Sequence, residues 1–524
     1  MKWLFITALL FGLDFSVHRT NLLLLPGFLI WILLRNPKTY LSVKGWVWGI
    51  LGLGMGLSFH LLTIPIAARH PFLNAGDPSS FSKFWDYISL KQYGGGWLIN
   101  IFPRKGAFWG IQVKDYLDTF ANNFLAIDRG WAIFGLLPTI LGILGIIAIW
   151  KRSWRLTVGL LCLFLLSSLG AVIYFNIPPY YFRTVDRHYL PSLVIFSFFI
   201  TFGLIAFIKW AFDRIKGLLW LKIAVVVALF IIIPGIRFFA DFKSIDGSRN
   251  YFAYDFAKNV MKTLPPNSIL FSNGDNDTYP LWYLQVVEHY RTDVAVLNLS
   301  LLNTTWFVEQ ARRNYPSLPL KITLDEISQL RIKSWDDLTA VAVAVKGSPQ
   351  SFDLADTTSL PDSIHFRISP SQYGPFLLIQ DLLLLKIIED NEWKNPIYVE
   401  PTVSPENIRW LKPYLRNEGL AQRLIPLESP PINAEILKAN LFEKYEYRGY
   451  ADSSVLIDEF SRMIGINIYA SFIYLATAES QLGHYDGCEM LKKKIELKIP
   501  HSRLQPIPQE INNAFLRICA SDST

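Results

Sequence analysis

Apolar residues in this chain come in long blocks before residue 240 and in short periodic groups after it. Seven blocks can be counted: 3–17, 21–34, 45–66, 131–150, 154–175, 190–208 and 218–236. Five of these approach or reach the roughly 20 residues that cross a bilayer's hydrocarbon core. The first two are shorter, which predicts a tight or kinked helical pair. Between the third and fourth lies 67–130, too polar to span, with cations, amides, aspartates and aromatics mixed together. It is predicted to be a loop covering a membrane-embedded site.

Beyond residue 240 the period changes. Residues 251–264 read as an amphipathic helix ended by the turn Pro265–Asn267. A strand at 268–272, a helix at 278–289, a strand at 293–299 and a helix at 304–313 follow. That alternation predicts a parallel α/β layer. Residues 317–375 are rich in Ser, Asp and Pro and read as irregular. A helix at 377–389, a strand at 396–400 and a helix-to-strand passage at 411–426 come next. Beyond Pro430 the pattern is helical, and 472–497 has the small-residue and Gly-Tyr spacing of a tetratricopeptide-like repeat. The expected fold is thus an α-helical membrane bundle of about seven spans (1–240), a soluble α/β domain (241–430) and a helical tail (431–524).

Charge sharpens this division. Residues 1–240 hold 22 Lys+Arg, 8 Asp and no Glu, a balance of +14, whereas 241–524 hold 28 Lys+Arg against 35 Asp+Glu, a balance of −7. The pI near 9.0 and mean hydropathy of +0.27 therefore average two unlike bodies. Because the basic excess sits between membrane spans, a nucleic-acid partner is excluded as a reading. Short-loop cations set the orientation. Ten lie on one side, from Lys2 through the 35–44, 151–155 and 209–216 loops, against Arg19, Arg183 and Arg187 on the other. This predicts a cytoplasmic N-terminus, with loop 67–130 and the whole of 241–524 outside. Three cysteines (Cys162, Cys488, Cys519) form no metal spacing, and no metal site is expected. Cys488 and Cys519 could pair in an oxidising compartment. The opening apolar run lacks a cleavage signal, so the first span is expected to do the targeting.

Candidate chemistry gathers at the outer face. Asp14 lies inside the first run, with His18, Arg19 and Asn21 at its end; ionisable groups at membrane depth usually face a bundle interior or a cavity. Arg69, His70, Asn74 and Asp77 fall within nine residues, and Arg183, Asp186, Arg187 and His188 stand at the mouth of the sixth run. Two arginine-bearing loops, each with an aspartate, suit an anionic lipid headgroup and a general base. Snorkelling and interfacial anchoring explain the same residues equally well. His60, near the end of the third run, reads as a packed residue. In the soluble half, Asp275-Asn276-Asp277 sits at a strand's carboxyl end, where such sheets bind ligands. It matches the D-x-D pattern of some sugar transferases, although a turn with Asn276 or Asp277 capping the helix is the simpler reading.

Six stretches (12–27, 74–94, 182–192, 271–307, 391–407 and 414–426) resemble a bacterial multi-spanning family grouped as glycosyltransferase family 117, whose vertebrate member is a plexin-type protein O-mannosyltransferase. The resemblance implies a GT-C-type enzyme that takes its sugar from a polyprenyl-phosphate carrier and passes it to a protein Ser or Thr hydroxyl. It needs no cofactor beyond that lipid-linked donor, and its site faces outward from a membrane such as the bacterial inner membrane. By position it makes Arg183 and Arg187 candidates for the lipid phosphate, and Arg69, Asn74 and Asp77 candidates for the sugar site. Family members usually begin with further spans and an acidic motif in the first outer loop, and residues 1–240 contain no Glu. The resemblance therefore matches the family's C-terminal portion, with the missing spans expected on a longer or separate chain. Asp77 is the stand-in for the catalytic acid. The competing class is a catalytically silent membrane scaffold whose soluble domain binds partner proteins. Transport is disfavoured because no internal repeat pairs the spans.

Overall fold

The computed structural model describes residues 1–39, 41–89, 91, 108–125, 132–176, 186–214, 219–329, 333–334, 340–368 and 376–519. They form two compact units: unit 1 holds 1–71 and 76–241, and unit 2 holds 72–75 and 242–524.

Unit 1 is helical. Its elements are α1 (Lys2–Val17), α2 (Leu25–Arg35), α3 (Val43–Ser58), α4 (Thr63–Ala67), α5 (Phe81–Ile88), α6 (Lys114–Phe124), α7 (Ala132–Arg152), α8 (Trp154–Ser167), α9 (Leu169–Phe175), α10 (Leu190–Arg214) and α11 (Leu219–Ile245). Every apolar run of the sequence coincides with one or more of these helices. Among the described residues three helical stretches are long and apolar enough to cross a membrane: Val43–Ala67, Trp154–Phe175 and Leu190–Arg214. The short first pair is kinked as expected, a 3-10 turn at Arg19–Leu24 joining α1 to α2.

Lipid-facing helices cannot rely on a hydrophobic drive to associate, so close backbone approach at small residues does that work. Gly52 of α3 meets α1 at Phe5 and Ala8, and Gly56 meets it at Leu9 and Gly12, where an added Cβ on Gly56 would lie 2.4 Å from the Leu9 carbonyl oxygen. Gly145 of α7 and Gly203 of α10 meet more tightly: a Cβ on either would fall 1.8 Å from a carbonyl oxygen of the facing helix. The amphipathic α6 covers part of α10, with Phe120 and Phe124 against Phe196 at ring separations of 4.9 and 4.8 Å.

Unit 2 begins with α12 (Phe252–Thr263). It continues with β1 (Ile269–Ser272), α13 (Asp275–Val286), β2 (Ala295–Asn298), α14 (Leu299–Leu302), α15 (Thr305–Asn314) and α16 (Leu324–Gln329). Then come β3 (Lys333–Ser334), β4 (Ala340–Ala344), β5 (Ser363–Arg367), β6 (Phe376–Leu377), α17 (Ile379–Asn391) and β7 (Ile397–Val399). It closes with β8 (Leu415–Asn417), β9 (Gln422–Leu424), α18 (Ala434–Ala439), α19 (Glu459–Gln481), α20 (Tyr485–Lys498) and α21 (Gln509–Arg517). The sheet order is β2-β1-β7-β9-β8. β1 pairs parallel with β2 and β7, while β9 runs antiparallel to β7 and β8. The parallel layer expected from the sequence is present, extended by an antiparallel edge. Strands β1, β2 and β7 are fully buried, as helices on both faces require.

Two expectations need correction. Residues 317–375 are not simply irregular, because β4 and β5 pair antiparallel over Ala340–Ala344 and Ser363–Arg367. Residues 411–426 are a β-hairpin after a single 3-10 turn, not a helix leading to a strand. The hairpin is held by buried charge: Arg416 and Glu418 are each 2% exposed, and Tyr398 donates to Glu418 at 2.7 Å. The tail is helical as expected. Among the described residues its α-helices are a short α18, one α19–α20 hairpin and a short α21, and the tetratricopeptide likeness goes no further. Cys488 and Cys519 do form a disulfide, tying α20 to the residues just beyond α21.

Candidate functional site

Two segments distant in sequence meet in unit 1. The chain leaves α1 through His18 and the turn at Arg19–Leu24, and it enters α10 through the turn at Asp186–His188. The His18 and His188 rings lie 5.1 Å apart, and Phe175 of α9 packs on His188 at 4.3 Å. Around them opens a cavity of about 740 Å³ with two chemically distinct ends. The polar end carries Asp14, His18, Thr20, Asn21, Arg187 and His188. The apolar end runs along α2, α8 and α10, with Phe28, Trp31, Leu160, Val194 and Phe202 among its walls.

Local hydrogen bonds set the polar end. Asn21 Nδ2 donates to Asp14 Oδ2 at 2.7 Å, fixing one carboxylate oxygen across the turn. The Thr20 hydroxyl lies 2.6 Å from His18 Nδ1, which orients that ring. Arg187 directs its Nε toward His188 Nε2 at 3.3 Å, so the outer edge of its guanidinium fork is available to an anion. The backbone N–H of Arg187 is held by Asp186 Oδ1 at 2.7 Å. The result is a cationic and hydrogen-bonding mouth with one oriented carboxylate, continuous with an apolar channel.

Of the residues singled out in the sequence, Asp14, His18, Asn21, Arg187 and His188 converge here, with Asp186 bracing the turn. Arg183 lies outside the described residues. Arg69, Asn74 and Asp77 do not line this cavity. Arg69 is exposed, and Asn74 lies on the segment that packs into unit 2, where its N–H meets Gln310 Oε1 at 2.8 Å. Asp77 is buried and forms an ion pair with Lys83 of α5. The expected cover over the site is likewise not seen among the described residues of 67–130: Phe72 packs edge-on against Tyr315 of unit 2, and the apolar face of α6 lies on Phe196. His60 packs against Phe84 and Tyr87, as a core residue would.

Unit 2 has a polar layer at the carboxyl edge of its sheet. Gly274 is the N-cap of α13, so Asp275 is exposed in the first turn and Asp277 is buried at the third helical position. The capping reading is corrected: neither Asn276 nor Asp277 is the N-cap, which is Gly274 with no side-chain cap hydrogen bond, because the helix starts at Asp275. Burial raises the Asp277 pKa, opposed by the nearby Thr402 hydroxyl and the Gly274 N–H. Glu400, at the end of β7, is fully buried, and neither carboxylate oxygen has a hydrogen-bond partner. Burial and then the charge of Asp277 push its pKa well above the usual carboxylate range. Glu400 was invisible to sequence reasoning. A single Glu after a short apolar strand signals nothing until the neighbours that isolate it are known. Among the described residues no three His, Cys, Asp or Glu side chains gather as a metal cage.

Residues 253–340 and 343–440 match the family model described as TMEM260-associated domain 2, which places the match in unit 2. The protein O-mannosyl-transferase tmem260 of Dictyostelium discoideum is 24% identical over 337 residues, covering 58% of this chain and 38% of that protein. The protein O-mannosyl-transferase TMEM260 of Mus musculus is 24% identical over 170 residues, 32% of this chain and 23% of the mouse protein. The chain thus spans well under half the length of either relative. No solved structure matches. The similarities support an O-mannosyltransferase-like membrane protein, over part of the relatives' length.

Proposed function

We propose that this chain is an integral-membrane glycosyltransferase, or the C-terminal portion of one. In this reading it transfers a sugar from a polyprenyl-phosphate carrier to a protein Ser or Thr hydroxyl on the extracytoplasmic side. The observation that carries the reading is the two-ended cavity of unit 1. A polyprenyl-phosphate sugar has an isoprenoid tail, a phosphate and a polar sugar, and the cavity offers an apolar channel together with an end that carries an arginine and hydrogen-bonding side chains. Arg187, joined by Arg183, binds the phosphate, while His18 and His188 hydrogen-bond the headgroup. Asp14, oriented by Asn21, takes the acceptor's hydroxyl proton. The acceptor oxygen then forms the new bond to the anomeric carbon as the carbon–oxygen bond to phosphate breaks. The phosphate leaves with the electron pair, its charge stabilised by arginine. Asp77, already neutralised by Lys83, gives up the role of base to Asp14.

The finer assignments, to a GT-C bundle of about seven spans and to glycosyltransferase family 117, belong with this reading. The relatives' names support mannose as the sugar to test first. The ten-to-three bias in short-loop cations and the Cys488–Cys519 disulfide support an extracytoplasmic unit 2, because disulfides persist in oxidising compartments. The competing reading is the catalytically silent membrane scaffold whose soluble domain binds partner proteins. An acceptor protein, membrane lipid and spans from a separate chain are partners under this proposal.

The test is transfer from a polyprenyl-phosphate sugar to an acceptor domain, in membranes holding this chain alone and a longer version carrying the upstream spans. Arg187→Ala and Asp14→Asn are each expected to reduce transfer by at least about a hundredfold, the low end of what a charge-stabilising donor and a general base contribute. Full activity in both variants would overturn the assignment. Inactivity of both wild-type versions would favour the scaffold.

A further inference from the structure

Helix α6, from the polar segment 67–130, reaches the unit 1 cavity from behind. It presents Tyr116, Phe120 and Phe124 at four-residue spacing, one stripe of a helix face. α10 meets that stripe with Tyr189, Ser192 and Phe196. Leu190, Val194 and Phe198 of the same helix line the cavity. One face of α10 is therefore cavity wall, and another is the seat of α6.

Tyr116 stands where that stripe meets the arginine-bearing turn. It is buried, as are Tyr189 and Ser192, and its ring meets the Tyr189 ring edge-on at 5.1 Å, an arrangement aromatic pairs prefer. A directed chain of hydrogen bonds leads from it to the cavity mouth. Ser192 Oγ donates to the Tyr189 carbonyl at 2.7 Å, so the Tyr116 hydroxyl, 3.3 Å from Ser192 Oγ, is the donor in that contact. The Tyr189 N–H donates to the Asp186 carbonyl at 3.0 Å, and Asp186 Oδ1 receives the Arg187 N–H at 2.7 Å. Leu23, two residues beyond Asn21, and Phe175, which packs on His188, belong to the same apolar cluster. Both turns of the cavity's polar end are thus backed by one cluster that Tyr116 completes.

We infer that Tyr116 is a positioning residue for the lipid-phosphate donor, acting through Tyr189 and Ser192 to fix the turn that presents Arg187 and His188 to the cavity. The inference rests on the donor reading of that cavity. Tyr116, Tyr189 and Ser192 lie behind the lining rather than in it, so their effect on the donor passes through the turn. A forked arginine–phosphate contact tolerates a displacement of only about 0.5 Å, and a loosened turn exceeds that. α6 thereby gives segment 67–130 a share in donor affinity without touching the donor.

The test is a titration of the detergent-purified full chain with polyprenyl-phosphate mannose, read by native mass spectrometry, with thermal unfolding followed in parallel. Tyr116→Phe keeps the ring and loses the hydroxyl, and it is expected to bind the donor about threefold more weakly. Tyr116→Leu loses both and is expected to bind at least about tenfold more weakly. Phe124→Leu removes a ring from the same stripe, one that packs on Phe196 at 4.8 Å. It is expected to melt at a lower temperature and to bind the donor as the wild type does. Equal weakening in Tyr116→Leu and Phe124→Leu would reduce Tyr116 to a packing residue and overturn the inference. Wild-type affinity in Tyr116→Leu, with the donor lost in Arg187→Ala, would overturn it and leave the donor reading standing. No donor binding by the wild type would overturn both. Should Tyr116→Leu fail to fold, Tyr116→Phe decides, and wild-type affinity there overturns the inference.

Discussion

Arg291 illustrates how much a single side chain can organise. Its guanidinium donates to the carbonyls of Met261, Leu264 and Pro265 at 2.5 to 2.8 Å, closing the C-terminal end of α12 where carbonyls have no helical partner. It also pairs with Asp293, whose carboxyl it holds below the usual range. Arg291→Ala leaves these buried carbonyls unmet. Loss of such charged hydrogen bonds is expected to lower stability by about 1.5–3 kcal/mol, read as a drop in the denaturation midpoint of the full chain. Glu400 acts in the opposite direction. Its folded-state pKa is raised by burial and by Asp277, the charged group that faces it, so its contribution is fully present below about pH 4.3 and fades as pH rises. Glu400→Gln is therefore expected to melt above the wild type near neutral pH and to converge with it under acid conditions. Equal melting at every pH would show that Glu400 is not strained. Both residues mark a limit of reading from sequence. Asp14 and His18 stood out because ionisable groups are rare in or beside apolar runs, and Arg187 because it lies in an arginine-bearing loop at the mouth of one. Arg291 and Glu400 are ordinary in composition, and only the groups around them give them a role.

At the scale of elements, the long periodic segments were legible and the short ones were not. All seven apolar runs became helical, and β1, α13, β2 and α15 fell within a few residues of their expected places. β4 and β5 were hidden because AVAVA and SIHFR are brief, and the Ser, Asp and Pro around them carry the composition of a loop. The 411–426 stretch departs from the expected helix-to-strand passage because LKPYLRN has helix-forming residues, whereas Arg416 and Glu418 are committed to a buried pair on the sheet edge. Helix pairing in unit 1 rests on the glycine contacts. Gly203→Leu would drive a side chain into the Leu141 carbonyl of α7, so the expected outcome is loss of monodisperse protein on extraction in detergent. Gly54→Leu, at a position with open space around it, is expected to extract normally.

For the whole molecule, the charge contrast between residues 1–240 and 241–524 anticipated the division into two units, although it missed that 72–75 pack with the second. Sidedness is the property on which the transferase reading depends most broadly. Lys321→Cys, at an exposed position in unit 2, is expected to react with a membrane-impermeant maleimide in intact cells with an opened outer membrane. Labelling only after lysis would put unit 2 in the cytosol. The most direct measurement of the central claim is donor binding to the unit 1 cavity. Native mass spectrometry of the detergent-purified full chain with a polyprenyl-phosphate mannose should show a retained one-to-one complex. That complex should be weakened in Arg187→Ala and kept in Asp14→Asn, since the first holds the phosphate and the second acts on the acceptor. A donor complex that survives Arg187→Ala undiminished, or none in the wild type, would contradict the account.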